Sequence, residues 1–348
     1  MSEPGVPATL GDAVLREAFA LAVDTSRRSR GFTTPNPPVG AVVLDRDARV
    51  VSVGATEEPG GRHAEVVALD AAGALARGGT IVVTLEPCAH TGRTGPCTER
   101  IISAGVADVV YGCPDPGEDS GGGADILREA GVSVVEDAPG AELCPGGPLR
   151  PWLHRLRTGR PLVTWKYAAT LDGYVAAADG TSKWITGPES RAHAHVRRAA
   201  VDALIVGTGT LLADDPSLTA RHPDGSLRSR SPRACVMGRS QVPTVSAVRR
   251  SPGGFTHLDT HDPLEALALL GDVLHVLVEG GPTLAAAFLR VGLVDEIDAY
   301  LAPVLLGAGT GVVTDLGVST LLDAHRFDVQ TTERLGADVY VHLRSANA

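Results

Sequence analysis

Positive charge is in deficit along this chain, where 31 Lys and Arg stand against 41 Asp and Glu for a net charge of −10. That balance argues against a general nucleic-acid or anionic-membrane surface, since both require a broad basic face. A phosphorylated small molecule needs only a local cluster of arginines and stays compatible with the composition. No apolar run approaches the roughly 20 residues of a membrane span. Met1 to Leu10 also lacks the charged-then-apolar pattern of a secretory leader, so the expected setting is cytoplasmic. The five cysteines are an odd number, which argues against a disulfide framework. No Gly-x-Gly-x-x-Gly joins a strand to a helix, and Gly207-Thr208-Gly209 imitates only the start of that pattern. A dinucleotide, if bound, therefore sits in a fold other than the standard Rossmann one. Internal repeats and low-complexity tracts are absent as well.

What is present is ample apolar sequence. At 348 residues, with 43% hydrophobic and 21% charged residues, the chain describes a globular protein too long for one ordinary core. Between Asp137 and Arg160 the composition shifts to Pro139, Gly140, Pro145, Gly146, Gly147 and Pro148. This places a first domain at 1–145, a linker at 146–160 with Pro151 to Thr158 as a connecting segment, and a second domain at 161–348.

Apolar periodicity predicts a first helix over Asp12–Ser29, a hairpin over Val39–Leu44 and Val50–Val53, and a helix over Ala64–Ala76. Strands at Ile81–Leu85, Val106–Tyr111 and Val132–Val135 alternate with helices at Thr98–Ala104 and Asp125–Ala130. The alternation predicts a three-layer α/β/α domain around a mixed sheet. In the second half, strands are expected at Leu162–Lys166, Ala203–Val206, Pro232–Met237, Leu274–Val278, Glu296–Leu301 and Val339–Leu343. Helices are expected at Arg191–Ala200, Leu264–Leu270 and Leu284–Leu289. The last of these follows Glu279-Gly280-Gly281-Pro282-Thr283, where glycines allow close backbone approach and free amides could receive phosphate.

The most informative stretch runs from Gly61 to Cys97. His63, Cys88 and Cys97 offer one imidazole and two thiolates, a set suited to zinc that leaves a fourth tetrahedral position for water. Glu65, two residues after His63, is placed to carry protons without being a ligand. The pattern resembles the zinc-deaminase signature of His-x-Glu followed by Pro-Cys-x-x-Cys, except that eight residues separate Cys88 from Cys97. A closed structural site, with His90 as fourth ligand, is the alternative, although it gives Glu65 no purpose. Cys113, Cys144 and Cys235 read as buried or incidental thiols, and His193 and His195, on different sides of one helix, as surface residues.

These motifs, together with Thr34-Pro35-Asn36-Pro37-Pro38-Val39-Gly40, Lys166–Gly173, Gly180–Ile185 and Gly207–Arg221, resemble the bifunctional riboflavin-biosynthesis deaminase/reductases over nearly the whole chain. The resemblance implies a cytidine-deaminase-like α/β domain followed by a dihydrofolate-reductase-like α/β domain, with zinc and NADPH as cofactors. Pyrimidine ribosylamine phosphates are the implied substrates, and a homo-oligomer is the implied assembly. It assigns zinc to His63, Cys88 and Cys97, proton transfer to Glu65, and substrate contacts in the first domain to Asn36 and His90. In the second domain it turns Ala168, Trp184, Thr210, Asp214, Gly281, Pro282 and Thr283 to NADPH. Ser182, Arg197, Leu218, Arg221 and Glu279 would face the substrate, with Lys166 near the site of hydride transfer. Gly238-Arg239 departs from the aspartate and serine or threonine often found there, and offers a positive charge instead. A nucleotide deaminase with a degenerate reductase half is the nearest alternative. A nucleic-acid-editing deaminase is a further one, against which the acidic balance weighs.

Overall fold

The computed structural model describes residues 10–89, 95–117 and 120–346, and contacts divide the chain into two units, Met1–Gly159 and Arg160–Ala348. The first unit contains α1 (Asp12–Arg27), β1 (Gly40–Leu44), β2 (Val50–Ala55), α2 (Ala64–Ala72) and β3 (Thr80–Val83). It continues with α3 (Cys97–Ala104), β4 (Asp108–Tyr111), α4 (Gly123–Glu129), β5 (Ser133–Val135) and α5 (Arg150–Thr158). The sheet order is β2-β1-β3-β4-β5; β1 is antiparallel to β2 and β3, while β3, β4 and β5 are parallel.

Two glycines reveal the layering. A Cβ added at Gly40 would lie 2.0 Å from the Ala22 carbonyl of α1, and one at Gly54 would lie 2.2 Å from the Ala64 carbonyl of α2. Gly54 pairs with Ala41, the neighbour of Gly40. Since successive strand residues point to opposite faces, α1 and α2 cover opposite sides of the sheet. This is the expected α/β/α sandwich, with Leu15, Phe19, Val42, Leu69, Ile81 and Val109 in its core.

Two expectations change here. The helix predicted to reach Ala76 stops at Ala72, because Gly73 takes φ = 55° and a 3-10 turn follows over Gly73–Ala76. The segment read as a linker contains α5, whose Leu149, Pro151 and His154 are buried and whose Trp152 and Leu153 pack against the first core. The break between units falls at Gly159, past the sequence boundary near 145, because the surrounding prolines and glycines mask one short amphipathic helix.

The second unit contains β6 (Leu162–Thr170), β7 (Tyr174–Ala177), α6 (Pro188–Ala199), β8 (Ala203–Gly207), α7 (Thr208–Asp214), β9 (Arg233–Met237) and β10 (Phe255–Leu258). It continues with α8 (Pro263–Ala268), β11 (His275–Val278), α9 (Pro282–Arg290), β12 (Glu296–Ala302), β13 (Gly309–Gly311), β14 (Phe327–Leu335) and β15 (Asp338–Ser345). Eight strands form one sheet in the order β10-β9-β8-β11-β6-β12-β15-β14, parallel as far as β12 and antiparallel beyond it. The central strands β8 and β11 are almost continuously buried, as parallel strands covered on both faces should be. β14 escapes sequence reading because it is a polar edge strand, exposed along nearly its whole length. Among the described residues no helix is long and apolar enough to cross a membrane.

Candidate active sites

In the first unit, three local features bring the metal ligands together. His63 is the N-cap of α2, Cys88 follows the end of β3, and Cys97 opens α3. The His63 Nδ1 lies 3.5 Å from Cys88 Sγ and 3.3 Å from Cys97 Sγ, and all three ligand atoms fall within 4.8 Å of one another. Zn–S and Zn–N bonds of usual length across a tetrahedral angle separate sulfur from nitrogen by roughly 3.5 Å. The residues therefore fit a zinc ion, and both thiols are buried. The Cys97 backbone N–H also donates to Cys88 Sγ at 3.4 Å, so the start of α3 supports a thiolate there. Hydrogen bonding, first from Cys97, holds Cys88 well below the usual thiol range.

Glu65 sits in the first turn of α2, only 4% exposed. Burial, reinforced by the negative charge of Cys88, raises its carboxyl to about 7. A cavity of about 430 Å3 opens over this cluster, lined by Asn36, His63, Glu65, Glu86, Cys88, Asp115, Ser120 and Trp152 among others. Asn36 thus stands in the pocket as expected. The assignment of His90 lies outside the described residues. Sequence reading missed Glu86, Asp115, Ser120 and Trp152. The buried Glu86 carboxylate accepts the Asp115 N–H at 3.1 Å and the Ala124 N–H at 3.0 Å, and so fixes the loop that presents Asp115.

The second unit has a cavity of about 600 Å3 along α6. The chain's only two lysines, Lys166 and Lys183, both line it, with Trp184, His195, Arg198, Thr210, Asp214, Leu218, Arg221 and Glu279. Glu279 is the hub. Arg198 grips it in a bidentate pair, its Nε–H donating to Oε1 at 2.7 Å and its Nη2–H to Oε2 at 2.6 Å, and Lys166 Nζ lies 3.7 Å away. Burial opposes the charge of Glu279, yet Arg198 and Lys166 hold its carboxyl at about 2. At the rim Lys183 pairs with Asp214 at 2.8 Å, and Arg191 stacks 4.6 Å from the ring centre of Trp184, which is 72% exposed.

Several expected residues lie elsewhere. Arg197 does not line the cavity; its guanidinium is paired with the fully buried Asp298 at 2.7 Å, and the next residue on α6, Arg198, takes the cavity position. His193 and His195 are half-buried and are not surface residues. His193 meets the Tyr300 hydroxyl at 2.9 Å, while His195 lines the cavity and its Nδ1 accepts the Arg221 N–H at 3.3 Å. Ser182 is exposed, and Ala168 packs near Ala194, Tyr300 and Tyr340; neither lines the cavity.

Gly281, Pro282 and Thr283 also fall outside the cavity lining and form the start of α9. Gly281, with Gly207, Gly238 and Gly280, stands at the C-terminal ends of the adjacent strands β8, β9 and β11. A Cβ at Gly238 or Gly280 would press on the protein's own Thr208 and Leu284 side chains, at 2.9 and 2.3 Å, whereas one at Gly281 would meet nothing closer than Thr210 Oγ1 at 3.9 Å and one at Gly209 nothing within 4 Å, so it is at Gly209 and Gly281 that the backbone lies open. Ligands of open α/β sheets collect at such strand ends. Backbone amides at the start of the nine-residue α9 suit a phosphate. The residues present fit a dinucleotide.

Comparison with known proteins matches both units. The family model for the zinc-binding region of cytidine and deoxycytidylate deaminases matches residues 13–113, and that for the RibD C-terminal domain matches residues 161–341. The chain is 49% identical to the riboflavin biosynthesis protein RibD of Mycobacterium tuberculosis, with 94% of this chain and 96% of the relative covered. Against RibD of Escherichia coli the identity is 36%, with 94% and 98% covered. A solved diaminohydroxyphosphoribosylaminopyrimidine deaminase/5-amino-6-(5-phosphoribosylamino)uracil reductase from Thermotoga maritima superposes with a TM-score of 0.86 at 32% identity, covering 96% of this chain and 99% of that one. RibD of Acinetobacter baumannii gives 0.84 at 33% identity, covering 97% and 100%. Similarity of this extent, spanning a zinc-binding unit and a reductase unit, makes the chain a member of the RibD family, the bifunctional deaminase/reductases of riboflavin biosynthesis that use zinc and NADPH.

Proposed function

We propose that the two pockets serve consecutive steps on one metabolite. The first hydrolyses the ring amino group of 2,5-diamino-6-ribosylamino-4(3H)-pyrimidinone 5′-phosphate, and the second reduces the ribosyl group of the deaminated product to ribityl. The observation that carries this reading is the pairing of a His-Cys-Cys cluster beside a buried, non-ligating glutamate with a separate cationic pocket next to a glycine cradle.

His63, Cys88 and Cys97 would hold the zinc, which when bound would supply a nucleophilic water near neutral pH. Glu65 would hold a proton at its carboxylate and pass protons to the departing ammonia, which suits a carboxyl buried and raised towards neutrality. Asn36 and Asp115 offer an amide and a carboxylate to the ring edge. NADPH supplies the hydride chemistry of the second step. Lys166, Arg198 and Glu279 orient the reacting ribose, and Arg221 offers the 5′-phosphate a cationic grip. Arg198 takes the place given above to Arg197. A reduced, cytoplasmic setting suits the five free thiols.

The test is a coupled assay on zinc-loaded chain, following ammonia release and NADPH oxidation separately. Both signals are expected. Ammonia alone would remove the reductase half of the reading, and neither signal would remove both.

Arg239 follows β9 with its guanidinium free of any ion pair among the described residues, while its backbone N–H donates to His261 Nε2 at 3.4 Å. We assign it to the adenosine phosphate that distinguishes NADPH from NADH. Arg239→Ala should weaken NADPH binding by about 10- to 100-fold, the worth of a charged hydrogen bond, and leave NADH binding unchanged. Titration of nicotinamide fluorescence checks both, and equal losses for the two cofactors would remove the assignment.

A further inference from the structure

Apart from the His63 imidazole, which belongs to the metal cluster, Trp152 is the one aromatic side chain among the described residues that line the first pocket. Aromatics make up only 4% of the chain, and tryptophan occurs three times. The residue arrives from α5, after the last strand of the unit's sheet, in a segment whose prolines and glycines suggest a mere connection. Its helix is firmly seated. Leu149, Pro151 and His154 are buried, and Leu153 packs with Trp152 on the core of the first unit. One part of the indole is thus fixed by packing, and its half-buried remainder borders the same cavity as His63 and Glu65. The other apolar lining comes from Pro35, Pro37, Val39, Pro59 and Leu85, which provide bulk and no π-face.

A flat pyrimidinone entering this cavity needs a surface that takes its ring out of water while polar groups read its edge. Asn36 and Asp115 can read an edge, and only an aromatic plane covers a ring face with geometric preference. We propose that Trp152 is the ring-recognition residue of the deaminase pocket, its indole stacking on the pyrimidine and setting the affinity with which the amino-bearing carbon is brought to the metal cluster. The proposal rests on the deaminase reading of the first pocket. It makes the helix before the unit boundary part of the binding site and not a tether.

The experiment uses the full zinc-loaded chain with Trp152→Phe and Trp152→Leu. Leucine preserves apolar bulk and removes the π-face; phenylalanine preserves the face. Base–aromatic stacking strength predicts that Trp152→Leu raises KM for ammonia release by about 5- to 150-fold, while kcat stays close to wild type. Trp152→Phe should stay within about threefold of wild-type KM. Zinc content and NADPH oxidation on the deaminated substrate should match wild type in both variants. A second readout is tryptophan fluorescence with Glu65→Gln in the background to keep substrate intact and Trp184→Phe to silence the tryptophan of the second cavity: quenching on substrate addition should be present with Trp152 and lost with Trp152→Phe. Equal KM for the leucine and phenylalanine variants, or quenching that persists without Trp152, overturns the proposal. Wild-type chain that shows the Trp152-dependent quench yet releases no ammonia overturns the deaminase reading and leaves the ring contact standing.

Discussion

Glu65→Gln should bind one zinc per chain as the wild type does and release ammonia about 10²- to 10⁴-fold more slowly, the usual worth of a positioned proton carrier. The argument is one of chemistry at fixed shape. Glutamine fills the same buried volume in the first turn of α2 and still hydrogen-bonds, so the N-terminus of the helix and the neighbouring His63 keep their places. It cannot take a proton from water or hand one to a departing amine. Metal retention follows because His63, Cys88 and Cys97 supply the ligand set and Glu65 is no part of it. NADPH oxidation, measured with substrate already deaminated, belongs to the other unit and should be untouched. Zinc analysis and the two rate assays on one preparation check all three statements. Deamination at the wild-type rate would take the proton-carrying role from Glu65, and loss of zinc would make the residue a structural support of the metal site.

How much of this was legible in advance follows from how locally each feature is specified. The metal cluster was readable because each ligand stands at a local landmark: a helix N-cap, the residues after a buried strand, and the first residue of a helix. Strand and helix order was readable from apolar runs, such as those of β8 and β11, which serve only as buried parallel strands. The contacts of α6 were not readable. Its buried residues are Ser190 and Ala194, so Arg197 and Arg198 flank the continuation of the same stripe at the next turn. Only the packed structure decides which arginine meets Glu279 and which meets Asp298. The hidden polarity of Tyr300, Tyr340 and His342 around Asp298 likewise depends on pairing between β12 and β15. Trp152 was hidden for a different reason, since proline and glycine in the preceding stretch mark a boundary more loudly than one short helix marks itself.

That division of labour on α6 has a measurable consequence. Asp298→Ala should lower the stability of the second unit by roughly 3–5 kcal/mol, because removing one partner strands the other charge out of water. Asp298 is fully buried and accepts from Arg197 at 2.7 Å, from the Tyr340 hydroxyl at 2.8 Å and from His342 at 3.0 Å. Burial opposes its ionisation, yet Arg197 and His342 keep its carboxyl well below the usual carboxylate range. A carboxyl depressed in this way contributes stability above its ordinary pKa and loses that contribution as pH falls below it. Denaturant unfolding should therefore show wild type and Asp298→Ala converging in acid and separating near neutrality. Arg198→Ala should also destabilise, since the Glu279 it leaves behind is only 6% exposed, but because both residues line the cavity it should in addition lower NADPH-dependent turnover of the deaminated substrate, which Asp298→Ala should spare in the molecules that remain folded. If Arg197→Ala raised the reductase KM while leaving unfolding unchanged, the two arginines would have exchanged roles, and the sequence assignment of Arg197 to substrate would be restored.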